Sequence, residues 1–187
     1  MAENTPFHGS DLEKIEQLYG IPKEKITGFG SNVNPLGLSP RLDVLSSYPD
    51  REYTELRKAI AAYTKADAEH VLCGNGSTEL ITACIRALSP KRALLVSPSY
   101  SEYERELRLV GCVPDYFALS EELDFRSDTS ELIRRLEETP SIRMLILSNP
   151  NNPTSGALDV SGLRELLSFC QEAGVHVMVD ETYAEFA

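Results

Sequence analysis

Residues 175–183, VHVMVDETY, decide the fold, because a nearly continuous apolar run there ends in an acidic side chain. Runs of this kind are typical of strands in parallel sheets, which are covered on both faces. Asp180 stands where the strand should end, and a carboxylate there loses hydration energy unless a cation partners it. The stretch therefore predicts a buried strand with a candidate counter-ion at its carboxyl end. An aspartate that caps a following helix is the alternative.

Two further runs, residues 93–96 (ALLV) and 144–147 (MLIL), have the same character. Segments with helical periodicity alternate with them, which favours an α/β fold with right-handed crossovers and a mostly parallel open sheet. Ligands gather at the carboxyl ends of the strands in such sheets. We expect strands at 70–73, 92–96, 113–118, 144–147 and 175–179, and helices at 52–64, 78–88, 101–110, 130–138 and 163–173.

The first fifty residues have a different pattern. A short helix is expected at 11–19, capped by Ser10 and ended by Gly20. The Gly- and Pro-rich stretch 28–37 then excludes regular structure. We therefore expect residues 1–50 to form an N-terminal arm with part of a small domain. Residues 51–187 are expected to form a large domain that is incomplete at its C-terminal end.

Composition limits the class of protein. The chain has 187 residues, of which 42% are hydrophobic and 25% charged, as in soluble globular proteins. Its net charge of −11 argues against nucleic acid and anionic membranes as partners. The N-terminus lacks the features of a secretory signal, which favours a cytoplasmic location. The cysteines and histidines show no metal-ligand spacing, so no metal is expected, and Cys73 and Cys84 are predicted to be buried thiols.

The glycine-rich stretch 74–79, GNGSTE, should join a strand to a helix. The amides of Gly76, Ser77 and Thr78 would then lie at a helix N-terminus, where an anion such as phosphate is favoured. A plain turn capped by Ser77 is the alternative. Glu79 occupies the place of the third glycine of a dinucleotide-binding fingerprint, which excludes that motif.

Three more side chains belong to the same predicted edge of the sheet. Tyr100 follows the second strand and could stack on a flat ligand, or simply pack at a helix start. Asn152 lies in the proline-rich loop 149–154, NPNNPT, and could donate to a phenolic oxygen, unless the loop is only a turn. Tyr183 follows Asp180 by three residues and could reach the same oxygen.

The order GNGSTE, PSY, NPNNPT, VDETY resembles the fold-type I pyridoxal phosphate enzymes, specifically the class I/II aminotransferases. The resemblance implies a three-layer α/β sandwich and pyridoxal 5′-phosphate as the cofactor. Tyr48 is implied to reach the phosphate in the neighbouring subunit of a homodimer. Within the chain, the resemblance implies that the phosphate is bound by Gly76, Ser77 and Thr78, the ring is stacked by Tyr100, O3′ is contacted by Asn152 and Tyr183, and the pyridine nitrogen is paired with Asp180.

The sequence of the N-terminal arm indicates which members of the family this chain resembles most. Residues 6–9 (PFHG) and 30–37 (GSNVNPLG) are similar to the threonine-phosphate decarboxylases of cobalamin synthesis. Histidinol-phosphate aminotransferases share the later motifs but usually lack the His-Gly start. Both substrates carry a phosphate, so a small phosphorylated amino acid is the expected partner. The candidate substrate-binding residues are His8, Gly9, Asn32 and Asn34; His8 is alternatively a flexible terminal residue.

Two departures from the family pattern stand out. Ser155 interrupts the commoner NPTG sequence, and the Schiff-base lysine is absent, because all six lysines precede Tyr100. We therefore expect no catalytic residue in these 187 residues, an inactive chain by itself, and a truncated sheet that does not fold stably alone. Three hypotheses remain: an L-threonine O-3-phosphate decarboxylase, a histidinol-phosphate or other aminotransferase, and a non-catalytic binding module that ends at Ala187.

Overall fold

The structure is a computed structural model that describes residues 11–29, 34, 36–37, 39, 46 and 48–186. It divides into two compact units, Met1–Glu52 and Tyr53–Ala187. In the first unit, helix α1 (Leu12–Tyr19) ends at Gly20 in the left-handed conformation, as predicted. Its N-cap is Asp11, whose carboxylate accepts a hydrogen bond from the Lys14 amide at 3.0 Å. The predicted cap, Ser10, lies outside the described residues.

The second unit alternates helices and strands, as the sequence predicts. Its sheet contains four strands in the order β2-β1-β3-β4, and every pair is parallel. The carboxyl ends of the strands therefore meet at one edge. The elements are α2 (Thr54–Thr64), α3 (Gly76–Leu88), β1 (Arg92–Ser97), α4 (Ser101–Leu109), β2 (Val113–Ala118), α5 (Thr129–Glu138), β3 (Met144–Ser148), α6 (Val160–Ala173) and β4 (His176–Asp180).

Helices cover both faces of the sheet, which confirms the predicted three-layer architecture. On one face, side chains of β1 and β3 such as Leu94 and Leu145 pack against Leu132 of α5 and Leu166 of α6. On the other face, the alternate side chains pack against α3 and α4. Because successive side chains of a strand point to opposite faces, the continuous apolar runs supply both cores. We call the second face the α3/α4 face.

The predicted strand at 70–73 is wrong. A single 3₁₀ turn, Ala68–His70, is followed by irregular backbone, and Leu72 is 71% exposed. The physical reason is a missing partner. Within the described residues, β2 and β3 occupy both edges of β1, and no strand lies beside residues 70–73.

The expectation of buried thiols at Cys73 and Cys84 is also wrong, because both side chains are only partly buried. Cys112 and Cys170 are the cysteines that the two cores enclose. Burial raises the pKa of the Cys170 thiol to about 11, so this side chain stays a neutral thiol.

Candidate active site

Asp180 is the last residue of β4, and its carboxylate accepts three hydrogen bonds from described residues. The Tyr103 hydroxyl donates to Oδ2 at 2.6 Å. The Thr182 amide and hydroxyl donate to Oδ1 at 2.9 and 2.6 Å. The Asp180 carbonyl accepts from the Asn149 amide at 2.9 Å, which joins the ends of β3 and β4. Asp180 therefore stands half-buried at the carboxyl edge of the sheet, with its side chain fixed by neighbours.

Tyr100 and Tyr103 come from the first turn of α4. Tyr100 is the N-cap residue, and its ring meets that of Tyr103 edge to face with centroids 5.6 Å apart. Tyr103 is fully buried. Burial, and then the hydrogen bond to Asp180, raise the pKa of the Tyr103 phenol far above its usual range. The phenol therefore stays protonated and acts as a permanent donor.

Sequence reasoning singled out Tyr100 and missed Tyr103. The available signal is their spacing of three, because residues i and i+3 lie on the same side of a helix start. A tyrosine at that position, between a candidate stacking residue and an apolar core, needs a buried partner for its hydroxyl.

Helix α3 begins at Gly76, so Ser77 and Thr78 occupy its first turn as expected. Both are exposed, and among the described residues their hydroxyls have no hydrogen-bond partner. The Gly76 amide differs from expectation, because it donates to the Gly74 carbonyl at 2.9 Å. The alternative of a Ser77 cap is wrong, since the N-cap is Asn75, and its side chain makes no capping hydrogen bond.

The side chain of Glu79 accepts the hydrogen bonds that the turn before α3 offers, since the N-cap side chain makes no capping bond. Its carboxylate accepts hydrogen bonds from the main-chain amide of Asn75 and from Asn75 Nδ2, the latter at 2.9 Å. An acidic residue that reaches back to the N-cap amide resembles half of a capping box. Glu79 thus binds Asn75 rather than Ser77 or Thr78.

The α3/α4 face brings these elements together. Ile81, one turn after Ser77 and Thr78, belongs to the same core cluster as Tyr103, and Tyr100 packs against this cluster. Met178 of β4 also packs against it. Asp180 is two residues beyond Met178 and therefore projects on the same face.

A cavity lies at the loop after β3. Asn152 and Tyr183 line one cavity of about 320 Å³, so the two residues implied to share a ligand oxygen do lie together. The peptide bonds before Pro150 and Pro153 are cis. The remaining lining residues are Pro150, Asn151, Pro153, Ser155 and Phe186.

Asn151, which sequence reasoning did not single out, holds this loop in shape. It is 5% exposed, and its Nδ2 donates to the Pro98 carbonyl at 3.0 Å and to Thr154 Oγ1 at 2.8 Å. Its Oδ1 accepts from the Ser148 hydroxyl at 3.0 Å, and Ser148 Oγ accepts from the Asn152 amide at 3.0 Å. The polar spacing in NPNNPT does not reveal which of its asparagines faces inward.

Ser155, the departure from the commoner NPTG pattern, has a φ of +60°. The left-handed conformation favours glycine, and a serine there is uncommon. The turn nevertheless closes, with the Ser155 amide bound to the Asn151 carbonyl at 2.7 Å and the Asn151 amide bound to the Gly156 carbonyl at 2.8 Å. The loop shape is therefore maintained despite the substitution.

The remaining predicted residues belong to the first unit. Asn34 is exposed, and its side-chain oxygen accepts from the Leu36 amide at 3.0 Å. Tyr48 is 98% exposed. His8, Gly9 and Asn32 lie outside the described residues.

The described part of the chain shows neither a metal-binding cluster nor a membrane-spanning helix. No group of three or more His, Cys, Asp or Glu side chains there could hold a metal ion. None of the helices over the described ranges combines the length and apolar character that crossing a membrane requires.

The chain belongs to the aminotransferase class I and II family, whose family model matches residues 25–187. Its cofactor is pyridoxal 5′-phosphate. The residues present fit this cofactor. The hydroxyls of Ser77 and Thr78, without partners among the described residues, could bind an anion at the start of α3. Tyr100 could stack on a ring, and the Asp180 carboxylate could pair with a cationic nitrogen.

Threonine-phosphate decarboxylases and histidinol-phosphate aminotransferases are among the proteins to which this chain is similar. The chain is 40% identical, over 83% of its length, to a protein provisionally named threonine-phosphate decarboxylase from Caldanaerobacter subterraneus subsp. tengcongensis, and covers 43% of that protein. It is 32% identical over its whole length to the threonine-phosphate decarboxylase of Salmonella typhimurium, covering 52% of it. It is 34% identical over 96% of its length to the histidinol-phosphate aminotransferase of Methanothermobacter thermautotrophicus, covering 49%.

Solved structures agree with this assignment. The histidinol-phosphate aminotransferase from Clostridium acetobutylicum superposes with a TM-score of 0.68 at 28% identity, over 78% of this chain and 41% of that one. The chain thus spans about half the length of the curated relatives it matches.

Proposed function

We propose that these residues are the cofactor-binding part of a pyridoxal phosphate enzyme that acts on a phosphorylated amino acid, with L-threonine O-3-phosphate decarboxylation as the reaction. The observation that carries the proposal is the position of Asp180. It ends β4 on the α3/α4 face, where Tyr100 and the first turn of α3 also lie. The relatives named threonine-phosphate decarboxylase support the choice of reaction.

When bound, the cofactor withdraws electrons from the bonds at the substrate Cα. Ser77 and Thr78 would hold its phosphate with hydroxyls and helix N-terminal amides. Tyr100 would stack on the ring, and Asn152 and Tyr183 would donate to O3′. Asp180 would keep a proton on the pyridine nitrogen, because an ionised carboxylate favours the charged form of a neighbouring base.

The arm supplies the proposed substrate contacts. His8, Gly9, Asn32 and Asn34 are the candidates, and His8 would bind the substrate phosphate. Tyr48 would reach the cofactor phosphate of a neighbouring subunit in a homodimer. A cytoplasmic location fits a small metabolite of this kind. These 187 residues contain no lysine after Lys91, so we also propose that turnover requires a lysine from outside residues 1–187.

Histidinol-phosphate aminotransferase is the second candidate, supported by the relative at 34% identity. A non-catalytic module has less support, because the family and the site residues both favour cofactor chemistry. In a family that shares one cofactor, the choice between decarboxylation and amino transfer depends on which Cα bond is held perpendicular to the ring. That orientation is set by substrate contacts.

The test uses a full-length protein that carries this sequence, loaded with cofactor. CO₂ release from L-threonine O-3-phosphate is compared with 2-oxoglutarate-dependent amino transfer from L-histidinol phosphate. We expect CO₂ release at least tenfold faster than amino transfer. Brisk amino transfer without CO₂ release would establish the second candidate, and failure to bind the cofactor would overturn both.

A further inference from the structure

Tyr103 donates a hydrogen bond to Asp180 and has no role in the function proposed above. Its hydroxyl donates to Oδ2 at 2.6 Å across 77 positions of sequence. The ring is fully buried among Ile81, Ile85 and Ile146 of the α3/α4 face. The Ser148 hydroxyl also lies within hydrogen-bonding reach of the phenol, whose own proton is donated to the Asp180 carboxylate.

The orientation of the Asp180 carboxylate is fixed by donors from two places, the turn after β4 and helix α4. Thr182 supplies two hydrogen bonds to Oδ1 from the same turn, and is itself exposed. Of the residues that the structure describes, only Tyr103 donates to Oδ2, and it comes from a different layer of the fold. Among the described residues, no Lys, Arg or His side chain forms an ion pair with Asp180. The direction of Oδ2 therefore depends on the phenol.

We propose that Tyr103 is a positioning residue that directs the Asp180 carboxylate toward the pyridine nitrogen of the cofactor. The inference rests on the proposed function of Asp180. A carboxylate whose direction is already fixed loses less side-chain freedom when it forms a charge-assisted hydrogen bond to a cationic nitrogen.

The position of Tyr103 at the start of α4 suits it to orient the Asp180 carboxylate. Tyr100 and Tyr103 lie in one turn, with their rings edge to face at 5.6 Å. The same helix start therefore provides a ring for stacking and a hydroxyl for the counter-ion.

The experiment is a double-mutant cycle in the full-length holoenzyme, with Tyr103→Phe, Asp180→Asn and the double variant. Phenylalanine keeps the buried ring, and water can replace the hydroxyl at the half-exposed Asp180, so the variant is expected to fold. Thermal melting checks this. The readouts are the Kd of pyridoxal 5′-phosphate and the ¹⁵N chemical shift of its labelled pyridine nitrogen.

We expect Tyr103→Phe to raise the Kd about tenfold, as loss of a hydrogen bond to a charged group does. The ¹⁵N shift should move toward the unprotonated value. In the Asp180→Asn background, the same substitution should change neither readout. Tyr116→Phe is the matched control, since its exposed hydroxyl on β2 contacts Arg108 rather than the site.

Three results would count against these ideas, and they are distinguishable. Asp180→Asn with wild-type Kd and ¹⁵N shift would overturn the proposed function itself. A strong effect of Asp180→Asn with none of Tyr103→Phe would overturn only the positioning role. An equal effect of Tyr103→Phe in both backgrounds would show that the residue acts through packing, which also refutes the positioning role.

Discussion

The side chain of Asn151 donates from Nδ2 to the carbonyl oxygen of Pro98 at 3.0 Å. This hydrogen bond joins the loop after β3 to the loop after β1, two segments 53 residues apart in sequence. Asn151 is buried, and its remaining hydrogen bonds to Ser148 and Thr154 fix the same loop. The two loops that carry Asn152 and Tyr100 are thereby held together.

Asn151→Ala should therefore destabilise the protein. The substitution leaves buried polar partners unpaired, at a cost of about 1–3 kcal/mol in free energy of unfolding. Urea unfolding of the full-length protein measures it. Asn152→Ala is the control from the same loop. It should change stability by less than about 0.5 kcal/mol while weakening cofactor binding, and a reversed pattern would contradict the assignment of the two asparagines.

The start of α3 should discriminate pyridoxal 5′-phosphate from pyridoxal. Ser77→Ala and Thr78→Ala each remove a hydroxyl from the proposed phosphate site, and we expect each to raise the cofactor Kd about tenfold. Pyridoxal, which lacks the phosphate, should bind the variants and the wild type alike. Fluorescence titration of the full-length protein measures both.

Ser89→Ala, at the opposite end of α3, is the control for these variants, because the Ser89 hydroxyl donates to the Arg86 carbonyl and to no other group in the described ranges. An equal loss of affinity for pyridoxal would mean that Ser77 and Thr78 do not contact the phosphate.

Asp115 should make stability dependent on pH. The Arg92 guanidinium, hydrogen-bonded to the Asp115 carboxylate, lowers the pKa of Asp115 below its usual value, and Arg135 adds to this at 3.4 Å. A lowered folded-state pKa stabilises the protein above the unfolded value of about 3.9 and loses this effect as pH falls through the folded pKa. Asp115→Asn should therefore lower stability at pH 7 and have little effect at pH 2.

Urea midpoints of the cofactor-free full-length protein at pH 7, 5, 3 and 2 measure this trend. Asp124→Asn is the control, because its exposed pair with Arg126 spans 3.9 Å and such pairs contribute little. A destabilisation by Asp115→Asn that stayed constant over this range would disprove the linkage.

Gly162 should resist substitution by alanine. It is buried in the first turn of α6, and an added Cβ would lie 2.8 Å from Thr129 Oγ1. Overpacking of this kind costs about 1–3 kcal/mol, which exceeds the gain of up to about 1 kcal/mol from alanine as a helix former. Thermal unfolding measures the loss. The double variant with Thr129→Ala should recover most of it, and no recovery would locate the strain elsewhere.

The sequence predicted the layers of this fold well and one strand poorly. Runs such as residues 93–96 and 144–147 are apolar on both faces, so they fit a covered parallel sheet and little else. Residues 70–73 have similar composition, yet they form no strand, because pairing requires a neighbour with free backbone groups. Composition contains no information about whether such a neighbour is present.

Some features of the candidate site were likewise predicted from the sequence, and others were not. The positions of Ser77 at a helix start and Asp180 at a strand end follow from local patterns and were predicted. Three contacts were not predicted: the hydrogen bond from the Gly76 amide to the Gly74 carbonyl, the inward orientation of the Asn151 side chain, and the hydrogen bond from Tyr103 to Asp180. Each depends on distances between segments that are remote in sequence or on one backbone dihedral angle.

The sequence by itself determined which residue types stand at the carboxyl ends of the strands, because the periodicity of apolar residues sets where each strand stops. Tertiary structure decided which of those side chains meet. Hydrogen bonds act over about 3 Å, and only the packing of α3 and α4 on one face of the sheet brings the Tyr103 hydroxyl to the Asp180 carboxylate.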